Sequence, residues 1–401
     1  MNEKVLLAYS GGLDTSYCAK YLSKELNLEV YTATANTGGF SQEELDQIEQ
    51  TAYELGVKHH QNHDVTGEYY EKCIRYMVYG NVLRNNVYPL SVSSERVFQA
   101  IAIARHAREL GVQYIAHGST GAGNDQVRFD LVFKLLLPDV KILTPIRDNS
   151  LSRAEEIAYL QAEGVQRDWK KMEYSVNKGL WGTSVGGKET LTSHLDLPEE
   201  AFPTPLTKTQ EETLTLEFEQ GELLKVNGQS FAQKHEAILA IEKIAAPFAI
   251  GRDIHVGDTI IGIKGRVGFE AAASLIIIKA HQLLEKHTLT KWQMHWKEQL
   301  ANWYGMMLHE AMYFEPVMRD IEHFLESTQR NVSGKVFIKL KQYRFTTIGV
   351  DSPHDLMKSG MGHYGEMNNS WTGEDVKGFT TILSNSLRAY AAVNHKTIDW
   401  I

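Results

Sequence analysis

Ser10-Gly11-Gly12-Leu13-Asp14-Thr15-Ser16 gathers three hydroxyls, two glycines and an acid into one short stretch. Two glycines let a backbone approach a bulky anion, because neither carries a Cβ. The N–H groups of a helix's first turn, joined by the hydroxyls of Ser10, Thr15 and Ser16, make a site for phosphate. No lysine follows the glycines, and G-x-G-x-x-G is absent, so this is neither the Walker loop nor the dinucleotide fingerprint. A second cluster runs from Ala116 to Asp130. Its three glycines, Gly118, Gly121 and Gly123, again allow close approach of a ligand. Thr120, Asn124 and Asp125 offer donors and an anionic acceptor, a set suited to the ammonium and carboxylate of an α-amino acid. Arg128 can clamp a carboxylate through charged hydrogen bonds, worth about 1.5–3 kcal/mol each.

Both clusters need strands and helices to hold them. Val5, Leu6, Leu7 and Ala8 read as a strand entering the first turn, and Leu13 to Leu26 as the helix leaving it. Glu29 to Ala35 reads as a second strand. Ser41 opens a capping box over a helix that stops at Gly56. A short strand follows at Val57 to His60, then helices from Gly67 to Tyr79 and from Ser94 to Leu110. Val112 to Ala116 leads into the second glycine-rich turn. Lys141 to Ile146 is the next strand, and Ser152 caps a helix ending near Gly164. Such alternation predicts an α/β fold, a doubly wound parallel sheet with ligands at the carboxyl ends of its strands.

After residue 168 the pattern changes. Tyr174 to Lys188 reads as a loop and Pro198 to Thr209 as a linker. Thr213 to Phe218 alternates as a strand, Asn227-Gly228 signals a hairpin, and Phe231 to Ala245 is helical. Ile250 to Arg266 is strand-rich. Long helices cover Glu270 to His287, Lys291 to Glu310 and Tyr313 to Thr328, and Lys335 to Phe345 alternates again. Trp292, Trp296 and Trp303 recur at helical spacing and read as a core stripe. The expected division is a nucleotide-binding domain (1–168), an α+β second domain (169–351) and a C-terminal helical extension (352–401). The extension's amphipathic segment, Glu374 to Val393, either grips another subunit or folds back on its own domain.

The chain has 401 residues, 43% of them hydrophobic, and a net charge of −9. That charge argues against broad nucleic-acid binding and requires any ATP site to be positive locally. Cys18 and Cys73 are the only cysteines and form no C-x-x-C, which points to two buried thiols in a reducing cytoplasm. No signal peptide fits before the first strand, and the longest apolar stretch, Ala271 to Ile278, is far below the ~20 residues of a membrane span. His309-Glu310 lacks the second histidine of a zinc helix.

The first motif resembles the pyrophosphatase loop of adenylating ATP enzymes, S-G-G-x-D-[ST]-S. Together with His117-Gly118-Ser119-Thr120-Gly121-Ala122-Gly123-Asn124-Asp125-Gln126-Val127-Arg128-Phe129, with Tyr88 to Ser93, and with Glu173-Tyr174-Ser175 through Thr183-Ser184, it resembles the argininosuccinate synthase family. The resemblance implies a ligase that joins citrulline to aspartate through an adenylated citrulline, cleaving ATP to AMP and pyrophosphate. It implies that Ala8, Tyr9, Ser10, Gly11, Gly12, Leu13, Asp14, Thr15, Ser16, Ala35 and Gly118 hold ATP. Thr120, Asn124 and Asp125 would hold aspartate, while Tyr88, Ser93, Asn124, Arg128, Ser175 and Ser184 would hold citrulline. Mg²⁺ would travel with the phosphates, with Asp14 as a candidate contact, and no protein metal cage is expected. The family also uses a Glu and a Tyr from its second domain for citrulline. Gly257 and Phe269 stand near those positions here, with Asp258 or Glu270 as the neighbouring acids. A cytoplasmic homotetramer with exchanged C-terminal tails is the implied assembly.

No nucleophile–base pair is visible in the sequence, which fits chemistry done by positioning and charge neutralisation. Other adenylating enzymes fit less well. A glutamine-fed amidase needs a catalytic cysteine in a glutaminase segment, and a tRNA thiolase needs a thiol pair and a basic surface. A nucleotide-sensing module would not need the Asn124–Arg128 cluster.

Overall fold

The computed structural model describes residues 3–165, 167, 174–362, 364–366 and 370–394. The chain divides into one compact unit ending at His354 and a second beginning at Asp355. The boundary expected at residue 168 lies outside the described residues.

The first sheet contains β1 (Lys4–Ala8), β2 (Glu29–Asn36), β3 (His59–Asp64), β4 (Tyr114–Ala116) and β5 (Lys141–Leu143), in the order β3-β2-β1-β4-β5. All its pairings are parallel. Val5, Leu6 and Leu7 are fully buried, as a strand covered by helices on both faces must be. From β1 the chain builds outward through β2 and β3, then crosses to β4 and β5. The order therefore reverses between β1 and β4, where the carboxyl ends of adjacent strands open a crevice. Both glycine-rich turns leave from those two ends.

The remaining described strands of this unit pair antiparallel. These are β6 (Ser175–Gly179), β7 (Gly182–Gly186), β8 (Glu212–Glu219), β9 (Glu222–Val226), β10 (Gln229–Ser230), β11 (Arg252–Asp258), β12 (Lys264–Glu270), β13 (Gly334–Lys341) and β14 (Arg344–Asp351). They form two sheets, β10-β9-β8-β13-β14 and β11-β12-β7-β6. One continuous core reaches from Leu6 and Ala33 in the parallel sheet to Ile276, Leu325 and Ile338. Cys18 and Cys73 are buried free thiols. No helix among the described residues is long and apolar enough to cross a membrane. In the unit from Asp355, the helices Gly373–Leu383 and Asn385–Asn394 have no buried residue.

Four expectations need correction. Tyr174 to Lys188 is a hairpin, β6 with β7, rather than a loop. Its strands are Ser-, Asn- and Gly-rich, and their pairing is supported from outside by β12. The strand placed at Val57 to His60 runs instead over His59–Asp64, a polar edge strand that carries little apolar signal. The strand placed at Lys141 to Ile146 stops at Leu143, because Pro145 opens a short helix.

The fourth correction concerns the tryptophan stripe. Trp292, Trp296 and Trp303 are 64%, 59% and 58% exposed. The helix Lys291–His309 turns its opposite face inward: Lys297, Ala301, Tyr304 and Leu308. Lys297 is tolerated there because its Nζ pairs with buried Glu285 at 2.8 Å and donates to the Tyr79 carbonyl at 2.7 Å. Replacing Lys297 with Met strands a buried carboxylate, so urea unfolding is expected to lose about 3–5 kcal/mol. A loss below ~1 kcal/mol would show that the pair is not buried in solution.

Candidate functional site

The first turn is built as a phosphate cradle. Gly11 adopts φ +74°, and a Cβ there would also press on Ile48 at 3.0 Å. Gly12 is the N-cap of the helix Leu13–Lys24 and brings no side chain to its first-turn N–H groups, which stay available to an anion. Ser10 is exposed, with Oγ 3.3 Å from Thr15 Oγ1, and Thr15 donates to the Gly12 carbonyl at 3.3 Å. Leu13 and Ser16 are buried beneath the turn. Ala8 ends β1, and the Tyr9 N–H continues the sheet to the Ala33 carbonyl at 2.9 Å. Burial pushes the Tyr9 hydroxyl up to about 12. Ala35 is buried at the same edge, near the end of β2. Asp14 faces Glu156, whose carboxyl is pushed up to about 8 by burial and by the Asp14 charge.

The second turn closes against the first. A Cβ on Gly118 would stand 3.3 Å from the Asp14 carbonyl carbon and from Thr15 N and Cγ2, so the two backbones are in contact. His117 accepts from the Ser119 N–H at Nδ1 (3.2 Å) and lies 2.9 Å from Asp130 through Nε2, which fixes Nε2–H as the donor. Gln126 Nε2 donates to the Gly121 and Gly123 carbonyls at 2.6 and 3.1 Å, pinning the loop that presents exposed Thr120. Asn124 caps the helix Asp125–Leu136, and its Oδ1 accepts from the Ile260 N–H at 2.8 Å.

Asp125 sits between two guanidiniums, Arg96 Nε and Arg128 Nη1, each at 2.9 Å. Its surroundings alone would raise the carboxyl, but the two arginines outweigh that and hold it at about 2. Arg128 is buried, and Nε and Nη2 both donate to the His309 carbonyl at 3.2 and 3.0 Å. The fork expected to meet a substrate carboxylate is thus largely taken up by protein.

Tyr88 is buried, stacked on His255 with ring centroids 5.1 Å apart and 5.3 Å from Phe269. Ser93 is buried in the first turn of the helix Ser91–Leu110. Ser175 and Ser184 lie on β6 and β7, with Ser184 between Asn177 and Phe269 across the strands. Of the acids near Gly257 and Phe269, Glu270 is committed to Arg252 at 2.9 Å and Asp258 to Lys264 at 2.7 Å.

Sequence reasoning missed Arg96 and Arg84. Arg96 reaches Asp125, Glu95 (3.0 Å), Gln99 (2.9 Å) and Asn177 (3.1 Å), joining the second turn to β6. The Tyr-Pro-Leu-Ser run just upstream was the available signal, but nothing local sets Arg96 apart from Arg105 and Arg108 of the same helix.

Two expectations follow from this geometry. Gly118→Ala forces the turns apart by tenths of an ångström, and the KM for ATP should rise about tenfold in steady-state assays, since small misplacements are costly here. Glu156 keeps its proton in the folded chain up to about 8 but releases it near 4.5 when unfolded. Stability should therefore fall as pH rises between those values, and Glu156→Gln should flatten a plot of Tm against pH from ~5 to ~8. An unchanged slope would refute the carboxyl pairing.

Comparison with known proteins agrees with this layout. Residues 4–166 match the arginosuccinate synthase N-terminal HUP domain, and residues 174–390 match the arginosuccinate synthase C-terminal domain. The argininosuccinate synthase of Dictyoglomus thermophilum is 35% identical over 398 residues, covering 98% of this chain and 99% of its own. That of Xanthomonas campestris pv. campestris is 35% identical over 402 residues, covering 98% and 99%. The Methanocaldococcus jannaschii argininosuccinate synthase is 33% identical over 369 residues, covering 91% and 93%. With both halves matched in order and relatives aligned almost end to end, the chain belongs to the argininosuccinate synthase family.

Proposed function

We propose that the Ser10–Ser16 turn, with Ala8, Tyr9, Ala35 and Gly118, binds ATP; that Thr120, Asn124 and Asp125 bind aspartate; and that Tyr88, Ser93, Asn124, Arg128, Ser175 and Ser184 bind citrulline. The observation that carries this reading is the contact of Gly118 with Asp14 and Thr15, which sets the amino-acid turn directly beside the phosphate turn. The reaction is that of the family, an AMP-forming ligation. The ureido oxygen of citrulline attacks the α-phosphorus of ATP and the bond to the departing pyrophosphate breaks. The aspartate amine then attacks the activated carbon, loses a proton, and AMP leaves.

The chain's own residues contribute positions and fixed charges. Asp125, held at about 2 between two arginines, is an anion that orients the substrate's ammonium and is too acidic to serve as a base. Arg128 contributes through the N–H groups left over from Asp125 and the His309 carbonyl. Mg²⁺ carried on the triphosphate would neutralise phosphate charge. Asp14 is a hard oxygen donor of the right kind at the loop, and it would have to give up its contact with Glu156. A cytoplasmic setting is supported by the two buried reduced thiols. Assembly into a homotetramer is supported by the exposed apolar side chains of the C-terminal helices, among them Phe379, Ile382, Leu387 and Val393.

Pyrophosphate release by the purified chain should require ATP, aspartate and a citrulline together. Thr120→Val, which breaks no side-chain hydrogen bond among the described residues, should raise the KM for aspartate about tenfold and change kcat little. Release without aspartate at the full steady rate would point to a different adenylating enzyme.

A further inference from the structure

One edge of the proposed citrulline site carries more positive charge than a free amino acid can answer. Arg84 lies in the tight turn before Tyr88, its backbone paired with that residue, and its Nη2 donates to the Asp258 carbonyl at 3.0 Å. Its Nε and Nη1 are both buried and find no hydrogen-bond partner among the described residues. Unanswered guanidinium N–H groups are costly, and they mark a place where an acceptor belongs.

Gly257 keeps that place open. A Cβ there would stand 2.6 Å from His255 Nε2 and 3.6 Å from Arg84 Nε, so a side chain at this position would have to displace the histidine that stacks on Tyr88. The neighbouring charges do not restore balance. Asp125 is already shared by Arg96 and Arg128. Asp258 pairs with Lys264, and Glu310 faces Arg84 itself. His255 and His309 stand among these arginines. An ammonium brought here would meet the Arg84 guanidinium and would have to compete with it for Glu310.

We infer that this edge of the site takes a citrulline acylated on its α-nitrogen in preference to the free amino acid, with Arg84 donating to an oxygen of the acyl group. Acylation turns a cation into a neutral amide and adds the acceptor that Arg84 lacks. The inference rests on the ligase reading above and concerns the end of citrulline away from the ureido group. The bonds made and broken are unchanged, and the product is argininosuccinate carrying the same acyl group.

The test measures pyrophosphate release by the full chain with ATP, aspartate and one of three probes: citrulline, N-acetylcitrulline or N-succinylcitrulline. An acylated probe should exceed citrulline in kcat/KM by about tenfold or more, since a site built around a missing polar partner discriminates strongly. A further gain for the succinyl probe over the acetyl probe would assign the acceptor to a carboxylate, and equal values would assign it to the acyl carbonyl. Arg84→Gln should shrink the preference by raising the KM of the acylated probe more than it lowers kcat. A higher kcat/KM for citrulline than for both acylated probes would overturn the inference while leaving the ligase intact. No release with any probe would overturn the ligase reading itself.

Discussion

The guanidinium of Arg96 is the tie on which the site depends. Its side chain is only 11% exposed, where an unpaired charge would not be tolerated. It is satisfied by Asp125 from the amino-acid turn, by Glu95 and Gln99 from its own helix, and by Asn177 from β6. Glu95 is fully buried and anchored in turn by Thr37 Oγ1 at 2.8 Å, just beyond β2. One cation therefore joins the edge of the parallel sheet, the second glycine-rich turn and the hairpin that carries Ser175 and Ser184. Gly179, at the end of that hairpin's first strand, must be glycine because a Cβ would collide with the Glu95 carboxylate. The network leaves little slack, and a buried set of this kind holds its geometry because breaking any member strands the others.

The parallel sheet supplies the second constraint. Strand order reverses between β1 and β4, and both glycine-rich turns leave from the carboxyl ends of those two strands. Glycine is required there for two different reasons. At Gly11 it is the positive φ, and at Gly118 it is the contact of one backbone with another. The two turns are consequently a single surface, as the proposed attack of one bound substrate on another would demand.

Local chemistry was readable in the sequence, and long-range pairing was not. Ser41 and Ser152 form the capping boxes their sequences announce, and Asn227-Gly228 turns the hairpin it signals, each a matter of a few neighbouring residues. Both functional turns are legible for the same reason, since all their groups lie within about fifteen residues. The tryptophans of the Lys291–His309 helix misled because two faces of that helix carry large side chains. The inward one includes Lys297, whose acceptability depends on Glu285 in the preceding helix. The β6–β7 hairpin offers only a short β-branched alternation, Thr183 and Val185, and β12 completes its pairing. Arg96 and Arg84 were invisible for a related reason: what sets them apart is the partners they gain, or fail to gain, from distant parts of the chain.

The choice of arginine over lysine or histidine at this site follows from the charge problem. A chain of net charge −9 must hold three substrates that carry phosphates or carboxylates. Exposed lysines would be screened and mobile. Arg96 and Arg128 are instead locked by acids and carbonyls, so their charge is fixed in direction and cannot be lost by titration. The histidines among them respond in the opposite way. His309 is driven down to about 3 by burial, with Arg128 and Arg84 adding to it, and His255 to about 4 by burial and Arg84. Both remain neutral across the physiological range. The positive charge of the site is thereby carried by groups that do not titrate near neutrality.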